Sequence, residues 1–151
     1  LEAEQPQDRP DRAEPSAAPF PELMGARVLL AEDNAINRQV ANEILQSSGV
    51  SVEPAGDGLE AVEKLWEGGY DAVLMDIQMP VMNGYDATRK IRQLEDPFRS
   101  SIPIIAMTAN AFAEDRQKAL FVGMNDHVAK PVDMNILIPV LEKHIRNKKE
   151  N

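Results

Sequence analysis

From residue 26 onward the chain alternates between short apolar runs and stretches with helical spacing. Five runs are bounded as strands should be: Arg27–Ala31, Val50–Val52, Ala72–Met75, Ile102–Met107 and His127–Ala129. Between them, Ile36, Val40 and Ile44 recur every four residues, as do Leu137, Leu141 and Ile145. Leu59, Val62, Leu65 and Trp66 follow the 3–4 spacing of a helix with one apolar face, as do Tyr85, Thr88, Ile91 and Leu94. Near-continuous apolar strands separated by helices indicate a parallel sheet covered on both faces. Five such units in about 120 residues predict a small α/β, doubly wound fold. Gly68-Gly69 reads as a helix stop. Pro139 falls inside the last predicted helix, where it removes a ladder bond, so that helix begins near Asn135 or kinks.

Residues 1–25 read differently. Five of the 11 prolines lie there with six acids and two arginines, and large apolar side chains are scarce. Such a stretch cannot bury enough surface to offset its ordering entropy, so it reads as an extended or disordered interdomain linker. The expected division is a linker at 1–25, one domain at 26–147 and a polar tail at 148–151. Because the first residue is Leu1, not Met, an excised piece of a longer chain is expected.

Composition narrows the chemistry. The absence of cysteine among the 151 residues excludes a disulfide scaffold, a thiol nucleophile and any Cys-based metal site. No apolar run approaches the ~18 residues of a membrane span, so no direct membrane contact is expected. The net charge of −9 argues against nucleic acid as a partner, since phosphate attraction needs clustered Lys and Arg.

Open parallel α/β sheets bind ligands beyond the carboxyl ends of their strands. Glu32 and Asp33 follow the first run, Asp76 the third, Thr108 the fourth and Lys130 the fifth. Singly, each has an ordinary explanation: an Asp after a strand commonly caps a helix, and Glu32 or Lys130 could be solvated. Jointly, they set three carboxylates, a hydroxyl and an amine at one edge. Clustered carboxylates repel unless a cation joins them, and an all-oxygen set suits Mg²⁺, with Mn²⁺ as a substitute. A carboxylate beside such an ion and an ammonium is a nucleophile toward phosphorus, and Asp76, ending the third strand, is the candidate.

At these residues the sequence resembles the receiver domains of two-component response regulators, from Arg27 to about Ile145. The resemblance is carried by Leu30-Ala31-Glu32-Asp33-Asn34, by Met75-Asp76-Ile77-Gln78-Met79-Pro80-Val81-Met82-Asn83-Gly84, by Met107-Thr108-Ala109 and by Ala129-Lys130-Pro131. It implies a flavodoxin- or CheY-like (βα)5 fold with strand order 2-1-3-4-5. It implies Asp76 as phosphoacceptor and Asp33, Asp76 and the Gln78 backbone carbonyl as metal ligands, with Glu32 acting through water. Thr108 and Lys130 would hold phosphoryl oxygens, Ala109 would leave room for the group, and Gln78 and Asn110 would tune its lifetime. A cis peptide is implied at Lys130–Pro131. The family's aromatic partner of Thr108 in switching is replaced here by His127.

The segments Glu32–Asn37, Met107–Ala111 and Gly123–Pro131 look like receivers attached to hybrid sensor histidine kinases. The partners implied are a histidine kinase phosphoacceptor domain, a histidine phosphotransfer domain, or both, with weak homodimerisation left open. The implied location is cytoplasmic, which is compatible with a parent kinase anchored in the inner membrane. The fragment itself would catalyse only its own modification. The readings set against this are a stand-alone response regulator, a pure docking module, and a small aspartate-nucleophile phosphatase. The phosphatase would need a second acid where Gln78 stands.

Overall fold

The computed structural model describes residues 23–109 and 113–150, excluding the side chains of 113 and 147–150. Five strands, β1 (Arg27–Ala31), β2 (Ser51–Ala55), β3 (Ala72–Asp76), β4 (Ile104–Thr108) and β5 (Asp126–Ala129), form one parallel sheet in the order β2-β1-β3-β4-β5. The helices are α1 (Ala35–Ser47), α2 (Gly58–Glu67), α3 (Gly84–Arg92), the short α4 (Pro97–Ser100), α5 (Ala113–Val122) and α6 (Met134–Glu150). The four-residue α4, inside the connection from α3 to β4, has no apolar stripe to announce it.

Strand alternation divides the core in two. Val28, Leu30, Ala72, Leu74, Ile105 and Met107 face α1 and α6, packing with Ala41, Leu45, Leu137 and Leu141. Leu29, Ala31, Val73, Met75, Ile104 and Ala106 face the opposite layer, with Leu65, Ile91 and Ala119. Every residue of β3 and β4 is buried, as expected of central parallel strands. Strand β2 lies at an edge, pairs only with β1, and carries Pro54.

Three expectations need correction. The Ile36, Val40, Ile44 series is not the buried face of α1: Ile36 is 73% exposed, and Ala41 and Leu45 are buried instead. A strict four-residue repeat drifts about 40° per step around a helix, so its early members leave the core side. Leu59 likewise stays exposed on α2, while Ala61 and Leu65 go inward. At the termini, Leu23 is fully buried among the α1 and α6 residues, so the core starts before the expected linker boundary at 25. Helix α6 runs through Glu150, into the expected polar tail. It starts at Met134 and continues through Pro139. Most of the linker, residues 1–22, and Asn151 lie outside the described residues.

At the amino edge of the sheet, Arg92 from α3 acts as a clamp. Its guanidinium donates to the carbonyls of Gly123, Ser100 and Ile102 and to Asn125 Oδ1, all at 2.8 Å. Asn125 Oδ1 also accepts from the Ile104 N–H, which starts β4. Burial lowers the Arg92 pKa to about 10, and no carboxylate pairs with it among the described residues. Replacing Arg92 with Ala should therefore cost about 2–4 kcal/mol in urea unfolding, by removing several hydrogen bonds to a charged donor. Arg92→Lys should recover little, because an ammonium cannot span the fork.

Candidate functional site

Register brings the strand ends level. Ala31 lies opposite Met75, Asp76 opposite Met107, and Thr108 opposite Ala129. Glu32 and Lys130, each one residue past a strand, thus flank Asp76 at the carboxyl edge. Lys130 Nζ is 3.1 Å from Asp76 Oδ1 and 3.3 Å from Glu32 Oε1. Glu32, Asp33 and Asp76 each offer an oxygen within 4.8 Å of the others. Glu32 and Asp76 are 1% and 2% exposed, whereas Asp33 faces solvent.

Helix caps leave these acids available. The N-cap of α1 is Asn34, whose side chain accepts from the Asn37 N–H, so Asp33 is not a cap. Asn83 caps α3 in the same way. The Asp76 carboxylate accepts from the Gln78 N–H at 3.2 Å, and Glu32 Oε2 accepts from the Asn34 N–H at 3.1 Å. The loop after Asp76 is fastened at two points. The Gly84 N–H donates to the Ile77 carbonyl, and the Gly58 N–H, opening α2, donates to the Met82 carbonyl. A side chain at Gly84 would collide with the Asp76 carbonyl, and one at Gly58 with that of Met82. Between these points Val81 has φ 67°, an uncommon value for a β-branched residue, and is 78% exposed.

The electrostatics follow from crowding. Burial pushes the Glu32 carboxyl up; the Asn34 N–H opposes this and neighbouring Asp76 adds to it, leaving a value of about 7. Burial alone would lower Lys130, but its contacts with Asp76 and Glu32 outweigh that and raise it. An arrangement in which one acid resists ionisation and an ammonium compensates another is suited to a hard divalent cation. Behind it lies a recess of ≈ 180 Å³ lined by Asp76, Gln78, Thr108, Ala109 and Lys130 among others.

Of the residues singled out by sequence, Glu32, Asp33, Asp76, Gln78, Thr108, Ala109 and Lys130 converge here. The Lys130–Pro131 peptide is cis. Asn110 lies outside the described residues. His127 lies in β5 opposite Ala106, on the same side of the sheet as Thr108, and is not among the residues lining the recess. Its neighbour Asp126 is bonded to His144 Nε2 of α6 at 3.0 Å. Burial works to raise the Asp126 carboxyl, but hydrogen bonds from His144 and the His127 N–H hold it below its ordinary value. Sequence reading gave no sign of this bridge between residues 18 apart. It also passed over Tyr85 and Asp115, which complete the recess wall, because Tyr85 reads simply as core.

The raised Glu32 value has a testable sign. A folded pKa above the ordinary 4.5 contributes stability that is complete below pH 4.5 and lost as pH climbs through about 7. With divalent ions chelated, urea stability should fall between about pH 5 and 8 by up to ~3 kcal/mol, and Glu32→Gln should flatten that fall.

Among known proteins, residues 28–142 match the response regulator receiver domain family. Hybrid signal transduction histidine kinase B of Dictyostelium discoideum is 39% identical over 145 residues, covering 89% of this chain and 7% of that protein. Response regulator mcs4 of Schizosaccharomyces pombe is 34% identical over 146 residues, covering 78% of this chain and 28% of that protein. The chain thus spans 7% and 28% of the length of these two curated relatives. Among solved structures, the receiver domain of sensor histidine kinase PA1611 from Pseudomonas aeruginosa PAO1 has a magnesium ion coordinated in its active site cleft. It is 44% identical with a TM-score of 0.74, covering 81% of this chain and 98% of that one. The receiver domain of Saccharomyces cerevisiae Ssk1, solved with the histidine phosphotransfer protein Ypd1, is 32% identical with a TM-score of 0.77, covering 83% and 92%.

Proposed function

Since the chain belongs to the response regulator receiver domain family, we propose that Asp76 accepts a phosphoryl group from a phosphohistidine in a reaction requiring Mg²⁺ or Mn²⁺. The observation that supports this most directly is the meeting of Glu32, Asp33 and Asp76 within 4.8 Å beside Lys130. Asp33, Asp76 and the Gln78 carbonyl would hold the ion, with Glu32 acting through water. Once bound, the ion offsets charge on the phosphoryl oxygens.

The remaining work falls to the chain itself. An Asp76 carboxylate oxygen attacks phosphorus as the P–N bond breaks, and the freed imidazole nitrogen takes up a proton from solvent. Lys130 neutralises one phosphoryl oxygen, the Thr108 hydroxyl donates to another, and Ala109 leaves them room. Gln78 and Asn110 set how soon water reverses the modification. The drawing-in of Thr108, followed by His127, shifts the face built from α5, β5 and α6 between two states.

The parent is a hybrid histidine kinase located in the cytoplasm or anchored to the inner membrane, with the acidic, Pro-rich stretch ahead of Leu23 as its linker and the receiver running from Leu23 through α6. Among the described residues, no helix is long and apolar enough to cross a membrane. The fragment turns over no separate substrate. The donor is a histidine kinase phosphoacceptor domain or a histidine phosphotransfer domain. Exposed Ile36, Val40 and Val81 at the carboxyl edge support a protein partner there, and weak homodimerisation is compatible with it. The phosphatase reading is disfavoured by Gln78, an amide where the second acid would stand.

Incubation with Mg²⁺ and acetyl phosphate should add about 80 Da by intact mass. Asp76→Asn or a chelator should abolish the label, and Lys130→Met should slow it at least ~10-fold through lost charge stabilisation. Persistent labelling of Asp76→Asn would overturn the assignment, and steady hydrolysis of p-nitrophenyl phosphate would instead favour the phosphatase.

A further inference from the structure

Beside the phosphoacceptor recess runs an open groove of ≈ 590 Å³ whose walls include Asp33, Met79, Asn83 and Lys118. The two spaces share Ile77, Gln78 and Tyr85. Tyr85, in the first turn of α3, is buried, and the Lys118 ammonium of α5 sits 4.6 Å from its ring centroid.

Lys118 differs from Lys130 in how its charge is used. Lys130 is engaged by Asp76 and Glu32. No carboxylate pairs with Lys118 among the described residues; its partner is the π face of Tyr85. At an exposed site such a contact is weak, so it can hold the ammonium at the rim yet release it to a stronger anion. A dianionic donor approaching this edge meets Glu32, Asp33 and Asp76, and Asp115 in the recess wall, on a chain of net charge −9. An uncommitted cation on the approach counters that repulsion and raises the local concentration of anion.

We propose that Lys118, seated on Tyr85, is the positioning residue that receives an anionic phosphoryl donor in the groove and guides it to Asp76. This rests on the reading of Asp76 as phosphoacceptor. The occupant is a small acyl phosphate dianion, recognised by its charge. The weak stacking lets the ammonium follow the phosphoryl group toward the recess, while Tyr85 stays fixed in the core.

The test is the second-order rate of labelling with acetyl phosphate and with the less charged phosphoramidate, at low and high salt. Lys118→Ala should slow acetyl phosphate about fivefold at low ionic strength, with the gap narrowing at about 0.5 M salt and smaller for phosphoramidate. Lys118→Arg should restore at least about half of the rate, and Mg²⁺ affinity by calorimetry should be unchanged in both variants. Equal rates for wild type and Lys118→Ala, or a loss that neither salt nor Arg alters, would overturn the role of Lys118 while leaving Asp76 in place. Wild-type protein that takes no label from either donor would overturn both readings.

Discussion

The crowding of the Glu32, Asp33 and Asp76 carboxylates at one sheet edge, two of them out of water, is the constraint from which the working edge of this molecule follows. Two of these acids are buried, and they stand together because β1 and β3 are neighbours in register. Without Lys130 the pair would lack a compensating cation. That lysine arrives from β5, two strands from β3, which makes the site a property of the assembled sheet. The acids come from local sequence, but their proximity is a consequence of topology.

The same topology explains what could be read before any coordinates. In β3, the run Ala72-Val73-Leu74-Met75 is apolar throughout because both of its faces are covered, so strand, parallel pairing and terminal Asp76 were all legible. The buried face of α1 was not, since Ile36 and Val40 are as apolar as core residues and only their angular drift separates them from Ala41 and Leu45. The tail misled for the opposite reason: the polar stretch after Asn147 continues a helix whose preceding turns are anchored by Leu141 and Ile145. The bridge from His144 to Asp126 joins residues 18 apart through tertiary geometry, and no periodicity announces it. Tyr85 was hidden differently, because one ring serves as core packing, recess wall and cation seat.

Rigidity is distributed unevenly between the two edges of the sheet. At the amino edge, Arg92 ties α3 to the start of β4 and the loop before β5. At the carboxyl edge the loop after Asp76 is held by hydrogen bonds from Gly58 and Gly84 to its carbonyls and from its own Ile77 and Gln78 N–H groups to Met107 and Asp76, with Val81 left outward beyond them. A loop held this way can shift without disturbing the core beneath it, whereas the opposite end is pinned.

The edge strand β2 bears on life in a crowded cell. An unpaired strand border invites another copy to add on through its backbone. Here Pro54 has no N–H to offer, and the Glu53 carboxylate is tied to Lys64 at 2.9 Å beside it. A sixth strand arriving at β2 would meet a gap in its ladder and a charged pair to desolvate. This border therefore resists the addition of a further strand.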